Sequence, residues 1–179
     1  MWGGVKVYVS GKVSPNSVFG THEWRDEFCK ELSKKSGLNI INLDPVKDES
    51  EKKLNQKDSK LIVGKDCFLI KEADIVIVNL TDDISVGGSQ EMLIAKYYKK
   101  PLIGLAPRGG KFNKSEKEIL GKIYRDWKDS FVSIACDVIV ENMDQLADSV
   151  KKLSRGKNKI KDISVLDDCL RYYKNAFSI

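Results

Sequence analysis

The chain has 179 residues, 41% of them hydrophobic, and carries 31 Lys and Arg against 26 Asp and Glu, a formal net charge of +5. That length and apolar content suit one domain with a substantial core, and charges so interspersed imply at most a mild bias toward anionic ligands. A single histidine (His22) excludes a His-rich metal site; four scattered cysteines without a Cys-x-x-Cys pair, and an N-terminus with neither a signal peptide's apolar stretch nor a membrane span, lead us to expect no disulfide framework and no membrane anchor. The expectation is a reduced, cytoplasmic protein with no cofactor and no metal.

Taken in order, Val5 to Ser10 reads as a β-strand with Val5, Val7 and Val9 on one face and Tyr8 and Ser10 on the other. Turn residues follow from Gly11 through Gly20. Thr21 fits as the N-cap of a helix whose apolar stripe is Trp24, Phe28 and Leu32 and which Gly37 ends. Residues 38–43 read as a second strand stopped by Asp44-Pro45, and residues 46–57 as a charged surface loop. A helix is predicted over 58–72, with Leu61, Ile62, Leu69 and Ile70 toward the core and Asp66 among them.

Asp74 to Leu80 reads as the central buried strand. It leads into Thr81-Asp82-Asp83-Ile84-Ser85-Val86-Gly87-Gly88 and a helix predicted to open at about Ser89, which would put Glu91 in its first turn. Pro101 to Ala106 is a fourth strand, Ser115 to Trp127 a charged helix, Asp137 to Val140 a fifth strand, and Met143 to Leu153 its helix. Such alternation argues a parallel sheet covered on both faces. We read 1–154 as the catalytic domain and 155–179 as a basic connector and an amphipathic helix, which serves as an oligomer or lid element. The basic run from Lys151 to Lys161 has no aromatics interleaved, so nucleic-acid binding is not expected.

Two phosphate signatures are absent. Ser10-Gly11-Lys12 is not a dinucleotide fingerprint, and Gly109-Gly110-Lys111 is not a P-loop. What remains is a pair of loops at the carboxyl ends of strands, one with Ser10, Gly11 and Lys12, the other with Ser85, Gly87, Gly88 and Ser89. Both offer hydroxyls and backbone N–H groups to a phosphate or sugar, and open α/β sheets hold their ligands at that edge. With Asp66 and Glu91 as the acids and no Ser–His or Cys–His pair evident, the accessible chemistry is attack of a carboxylate on an anomeric carbon.

Tyr8, the spacing from Asp66 to Ala73-Asp74-Ile-Val-Ile-Val, and Gly-Gly-Ser-Gln-Glu91-x-x-x-Ala95 resemble the nucleoside 2-deoxyribosyltransferase superfamily, which includes the 2′-deoxynucleoside 5′-monophosphate N-glycosidases. The similarity spans about residues 5–150. It implies a flavodoxin-like three-layer α/β/α sandwich, with a five-stranded parallel sheet of order 2-1-3-4-5 and a C-terminal helical extension outside the resemblance. It further implies Glu91 as nucleophile, Asp66 as partner carboxylate, Tyr8 holding Glu91 by its hydroxyl, and Ser10 and Gly11 beside the 5′ end of the substrate. The transferase branch commonly has Asp six residues before the nucleophile; Ser85 stands there instead, as in the monophosphate glycosidases, although Asp82 and Asp83 are close by.

The implied partner is a nucleoside or nucleotide. The implied assembly is a homodimer or higher oligomer, with a neighbouring subunit closing the pocket through the Phe131 to Asn142 region. The reading from sequence is therefore cleavage of the N-glycosidic bond of a (deoxy)nucleoside 5′-monophosphate. Three alternatives stay open at this level: base exchange between nucleosides, NAD cleavage of the kind carried out by TIR-like domains, and a silent nucleotide sensor. Trp2, Trp24 and Trp127 are available to stack on a base, though packing explains each.

Overall fold

The computed structural model describes residues 4–11, 24–47, 57–156 and 159–178. Lys12, Thr21, His22, Trp2 and most of the charged stretch after Lys47 lie outside them.

The main sheet is built from β1 (Val5–Ser10), β2 (Ile40–Asn42), β3 (Ile75–Asn79), β4 (Leu102–Leu105) and β7 (Val138–Val140). All neighbours are parallel, in the order β2-β1-β3-β4-β7. Since β7 is the strand expected at 137–140, this is the sandwich order anticipated from the sequence. Strands buried on both faces read as continuous apolar runs, and every residue of β3 is buried.

The pleat divides the core into two layers. Val7, Val9, Ile75 and Ile77 pack with Trp24, Phe28 and Leu32 of α1 (Trp24–Ser36) and Leu146 and Val150 of α5 (Met143–Ser154). Tyr8, Val76, Val78 and Leu80 face the other way, toward Leu69 and Ile70 of α2 (Ser59–Glu72) and Met92 and Ala95 of α3 (Val86–Tyr97). Each fully buried aliphatic side chain contributes roughly 1.5–3 kcal/mol by leaving water. Leu61 is about half exposed, so only the carboxyl half of α2's apolar set reaches the core.

Two expectations are corrected. The segment read as a helix over 115–127 is an antiparallel hairpin, β5 (Asn113–Ile119) and β6 (Lys122–Lys128). Its turn is Leu120-Gly121, both at positive φ, the geometry that two-residue hairpin loops require. The strands stand clear of the core, so no burial pattern betrays a period of two, and a run of Lys and Glu mimics a solvated helix. A short helix, α4 (Ser130–Ala135), follows it unforeseen.

The second correction concerns α3, which opens at Val86 rather than near Ser89. Ser85 is its N-cap, its Oγ accepting from the Gly88 N–H at 3.0 Å. Glu91 consequently lies in the second turn rather than the first. Among the described residues no helix is long and apolar enough to cross a membrane.

Candidate active site

β1 and β3 end side by side, Ser10 opposite Val78, and α3 rises from the loop after β3. Helical side chains tilt toward the helix N-terminus, so a residue in the second turn can still present its head group at the level of the first. Glu91 does so. A Cβ placed on Gly87, one turn earlier, would stand 3.9 Å from Glu91 Oε1. The carboxylate thus reaches the open end of α3, where the N–H groups of Val86 and Gly87 have no carbonyl one turn before them.

Tyr8 comes from β1 onto the same spot. It is 1% exposed, and the Glu91 carboxylate acts on its phenol as a nearby negative charge and a hydrogen-bond acceptor. Burial, then the negative charges of Glu91 and Asp66, and the hydrogen bond itself raise its pKa far above the ordinary tyrosine value, with Arg25 pulling the other way. The Tyr8 phenol therefore keeps its proton and stays neutral. Asp66, half-buried on α2, brings a second carboxylate to this phenol. The three residues singled out in the sequence, from a strand and two helices, meet at the carboxyl edge of the sheet.

The loop residues divide. Gly88 is wedged against the end of β1: a Cβ there would come within 3.0 Å of Ile84 Cγ1, 3.2 Å of Ser10 Oγ and 3.3 Å of Ser85 Oγ. Only glycine allows the two loops so close. Ser10 is buried, and its Oγ donates to the Gly88 carbonyl at 3.5 Å. Gly11 is pressed by Trp24, whose ring would lie 2.9 Å from an added Cβ. Ser89 does not join the group: its Oγ bonds back to the Val86 carbonyl at 2.7 Å, and it lines a separate cavity of about 280 Å³ with Ile84, Met92, Phe112 and Phe131. Asp83 is engaged by the Lys111 ammonium at 2.7 Å.

Arg25 escaped the sequence reading. It is 4% exposed, its Nε donates to the Val9 carbonyl at 2.9 Å and its Nη2 to the Gly11 carbonyl at 3.5 Å, so it fastens the end of β1. Its guanidinium lies 4.6 Å from the centre of the Trp24 ring and 3.9 Å from Asp44. The signal was available: positions 25, 28, 29 and 32 share one helical face, and three of them are Phe28, Cys29 and Leu32.

Cysteine chemistry has no support here. Burial pushes the thiols of Cys29 and Cys136 up to about 12, and the four cysteines are unpaired. Among the described residues no group of three or more His, Cys, Asp or Glu side chains is placed to hold a metal ion. Trp24 and Trp127 are packing residues, the latter lying 3.4 Å under the Lys117 ammonium.

No protein-family model matches the sequence, and no curated protein matches it either. Solved structures do share the fold. A conserved protein from Enterococcus faecalis V583 superposes with a TM-score of 0.57 at 16% identity, over 84% of this chain and 99% of its own. A 2-deoxyribosyltransferase from Bacillus psychrosaccharolyticus gives 0.53 at 16% identity, over 88% of this chain and 98% of its own. A CMP N-glycosidase from Clostridium botulinum, at 14% identity over 82% and 98%, superposes too loosely, at 0.43, to bear on this chain.

Proposed function

We propose that this protein is an enzyme that cleaves the N-glycosidic bond of a (deoxy)nucleoside 5′-monophosphate through a covalent glycosyl-Glu91 intermediate. The observation that supports the reading is that the Glu91 carboxylate and the Ser85 hydroxyl flank Gly87 at the open end of α3, with the buried Tyr8 phenol in the field of Glu91 and Asp66. A fold shared with a 2-deoxyribosyltransferase agrees with it.

In this reading a Glu91 oxygen attacks C1′ of the sugar on the face opposite the base. The C1′–N bond breaks with its electron pair going to the base, which takes up a proton from Asp66 or from water. A water oxygen then attacks C1′ and gives up a proton to Asp66 or to solvent, the bond to Glu91 breaks, and the carboxylate is regenerated with release of sugar phosphate. Tyr8 holds the nucleophilic carboxylate in one rotamer. Asp66 orients the sugar hydroxyls or assists the departing base. The 5′-phosphate sits by Ser85 and the first turn of α3, with Ser10 and Gly11 on its other side. A hydroxyl that accepts from Gly88 N–H still has its own proton to donate to a phosphate oxygen.

The preference for a monophosphate over base exchange rests on Ser85 standing where the transferases commonly have Asp, and on Asp83 being turned to Lys111. The test is chromatography of nucleosides, nucleoside 5′-monophosphates and NAD after incubation with the protein, with and without a free acceptor base. Free base from monophosphates without an acceptor, lost in Glu91→Ala, is the expected result. Base exchange on nucleosides alone would establish the transferase instead. Release of nicotinamide from NAD would establish the third activity, and tight nucleotide binding without turnover, unchanged in Glu91→Gln, a sensor.

A further inference from the structure

The amino edge of the sheet, opposite Glu91, holds an open cleft of about 960 Å³, within the range that takes organic ligands. Its walls are the first residues of β1 and β3, the turn Lys99-Lys100-Pro101 between α3 and β4, the last turn of α5, and Ile160 on the connector that leads on to α6 (Val165–Phe177). The connector wall is pinned. Beside Ile160, Lys161 donates its backbone N–H to Asp137 Oδ1 at 2.7 Å and its ammonium to the Cys136 carbonyl at 2.6 Å.

Four cations line the cleft, Lys99, Lys100, Lys151 and Arg155, against one acid, Asp74. Asp74 is already engaged, its Oδ2 accepting the Lys6 N–H at 2.8 Å. Lys151 has Asp148 at 3.6 Å on its own helix, and Lys99 acts on Asp162 through its charge alone. Among the described residues, Lys99, Lys100 and Arg155 have no carboxylate within ion-pair distance. Helix ends account for part of this charge. The carbonyl ends of α2, α3 and α5 all finish at this edge, each worth about half a negative charge, roughly 1.5 together and 2.5 with Asp74. Four cations exceed that sum, and the excess is positive charge facing an open cleft.

Lys99 adds a second, independent signal. Its φ is +55°, the left-handed conformation in which helices commonly end on glycine. A side chain is strained there and glycine is not. The turn itself needs only the Lys99 backbone, whose N–H donates to the Lys96 carbonyl at 3.1 Å. What lysine contributes beyond glycine is an ammonium at the cleft.

The spread of the charges selects the ligand. Lys99 and Lys100 follow α3 on one face of the sheet, while Lys151 and Arg155 belong to the end of α5 on the other. One carboxylate satisfies one such pair, whereas a chain of phosphates reaches both. Leu38, Leu153 and Ile160 give the cleft an apolar floor suited to a planar ring. We propose that this cleft binds a nucleoside polyphosphate, its phosphates bridging Lys99 and Lys100 to Lys151 and Arg155 and its base on the apolar floor. The site is separate from Glu91 and does not depend on what the active site does.

Isothermal titration calorimetry with ATP, GTP and inorganic tripolyphosphate tests it, on the full chain carrying Glu91→Ala so that no bond cleavage adds heat. One equivalent of ATP or GTP is expected to bind with micromolar Kd, tripolyphosphate about tenfold more weakly, and all three less tightly as salt is raised. Adding Lys100→Glu with Arg155→Glu should weaken ATP by about a hundredfold or more, with circular dichroism unchanged. Lys99→Gly should weaken ATP by about tenfold and yet raise the melting temperature of the ligand-free chain, because it relieves the strained φ. A lysine serving only the end of α3 would give the opposite pair, a lower melting temperature with ATP affinity unchanged, and that result overturns the proposal. So does the absence of ATP and GTP binding, or binding indifferent to Lys100→Glu with Arg155→Glu. Tripolyphosphate as tight as ATP overturns the nucleoside part, and displacement of ATP by duplex DNA at equal phosphate concentration would make the cleft a nucleic-acid face instead.

Discussion

The two edges of the main sheet each gather buried ionisable groups, and they are built differently. At the amino edge, Asp137 accepts from the Lys96 ammonium, the Leu102 N–H and the Lys161 N–H, so its two oxygens are saturated by donors of balanced charge. Burial lowers the pKa of Lys96 while Asp137 works against that. At the carboxyl edge, two carboxylates, Glu91 and Asp66, bear on one neutral donor, Tyr8, with Arg25 turned to backbone carbonyls behind them. The first arrangement is closed and structural. The second sets two carboxylates against one phenol, the arrangement the proposed glycosyl transfer to Glu91 would use.

This contrast can be broken from either side. Glu91→Ala is expected to abolish turnover, by about three orders of magnitude or more, while leaving the urea midpoint nearly unchanged, since it removes a charge from a crowded site. Asp137→Ala should do the reverse. Leaving a buried ammonium and two N–H groups without their acceptor costs about 3–5 kcal/mol in urea unfolding, with turnover per folded molecule retained. An equal loss of stability in both variants would show that the two edges are of one kind.

Tyr8→Phe sharpens the comparison at its centre. Turnover should fall by about tenfold to a hundredfold if Glu91 is the nucleophile proposed above, because it loses its orientation. Because the Tyr8 pKa is raised, the phenol stays protonated through the alkaline range, so an alkaline limb in the pH–rate profile belongs to another group and persists in the variant. Disappearance of that limb would assign it to Tyr8. The smallest effect is expected for Gly88→Ala, about 1 kcal/mol in stability, as the end of α3 is pushed off Ser10, Ser85 and Ile84. Turnover there should fall more than stability does.

The elements legible from the sequence were those whose burial imposes a period. The alternation of Val7 and Val9 with Tyr8 and Ser10, and the unbroken apolar run of β3, assigned strands and faces correctly. The hairpin was not legible, because Asn113 to Lys128 faces solvent almost throughout and nothing selects a period. The start of α3 was misplaced because glycines at 87 and 88 look like loop. Their place inside the helix follows from Ser85 capping it and from β1 leaving no room for a side chain at 88.

What the sequence determined by itself was the alternation of strands and helices, the two acids, the tyrosine and the two loops, since each is written in local residue types and short spacings. What only the tertiary structure decided was their meeting. Tyr8, Asp66 and Glu91 are separated by tens of residues, and it is the parallel pairing of β1 with β3 and the tilt of α3 side chains that bring one hydroxyl and two carboxylates together. The same holds for Arg25 behind the site and for Lys96, Asp137 and Lys161 opposite it. A charge is placed by the field and hydrogen bonds of its neighbours in space, and those neighbours are chosen by packing.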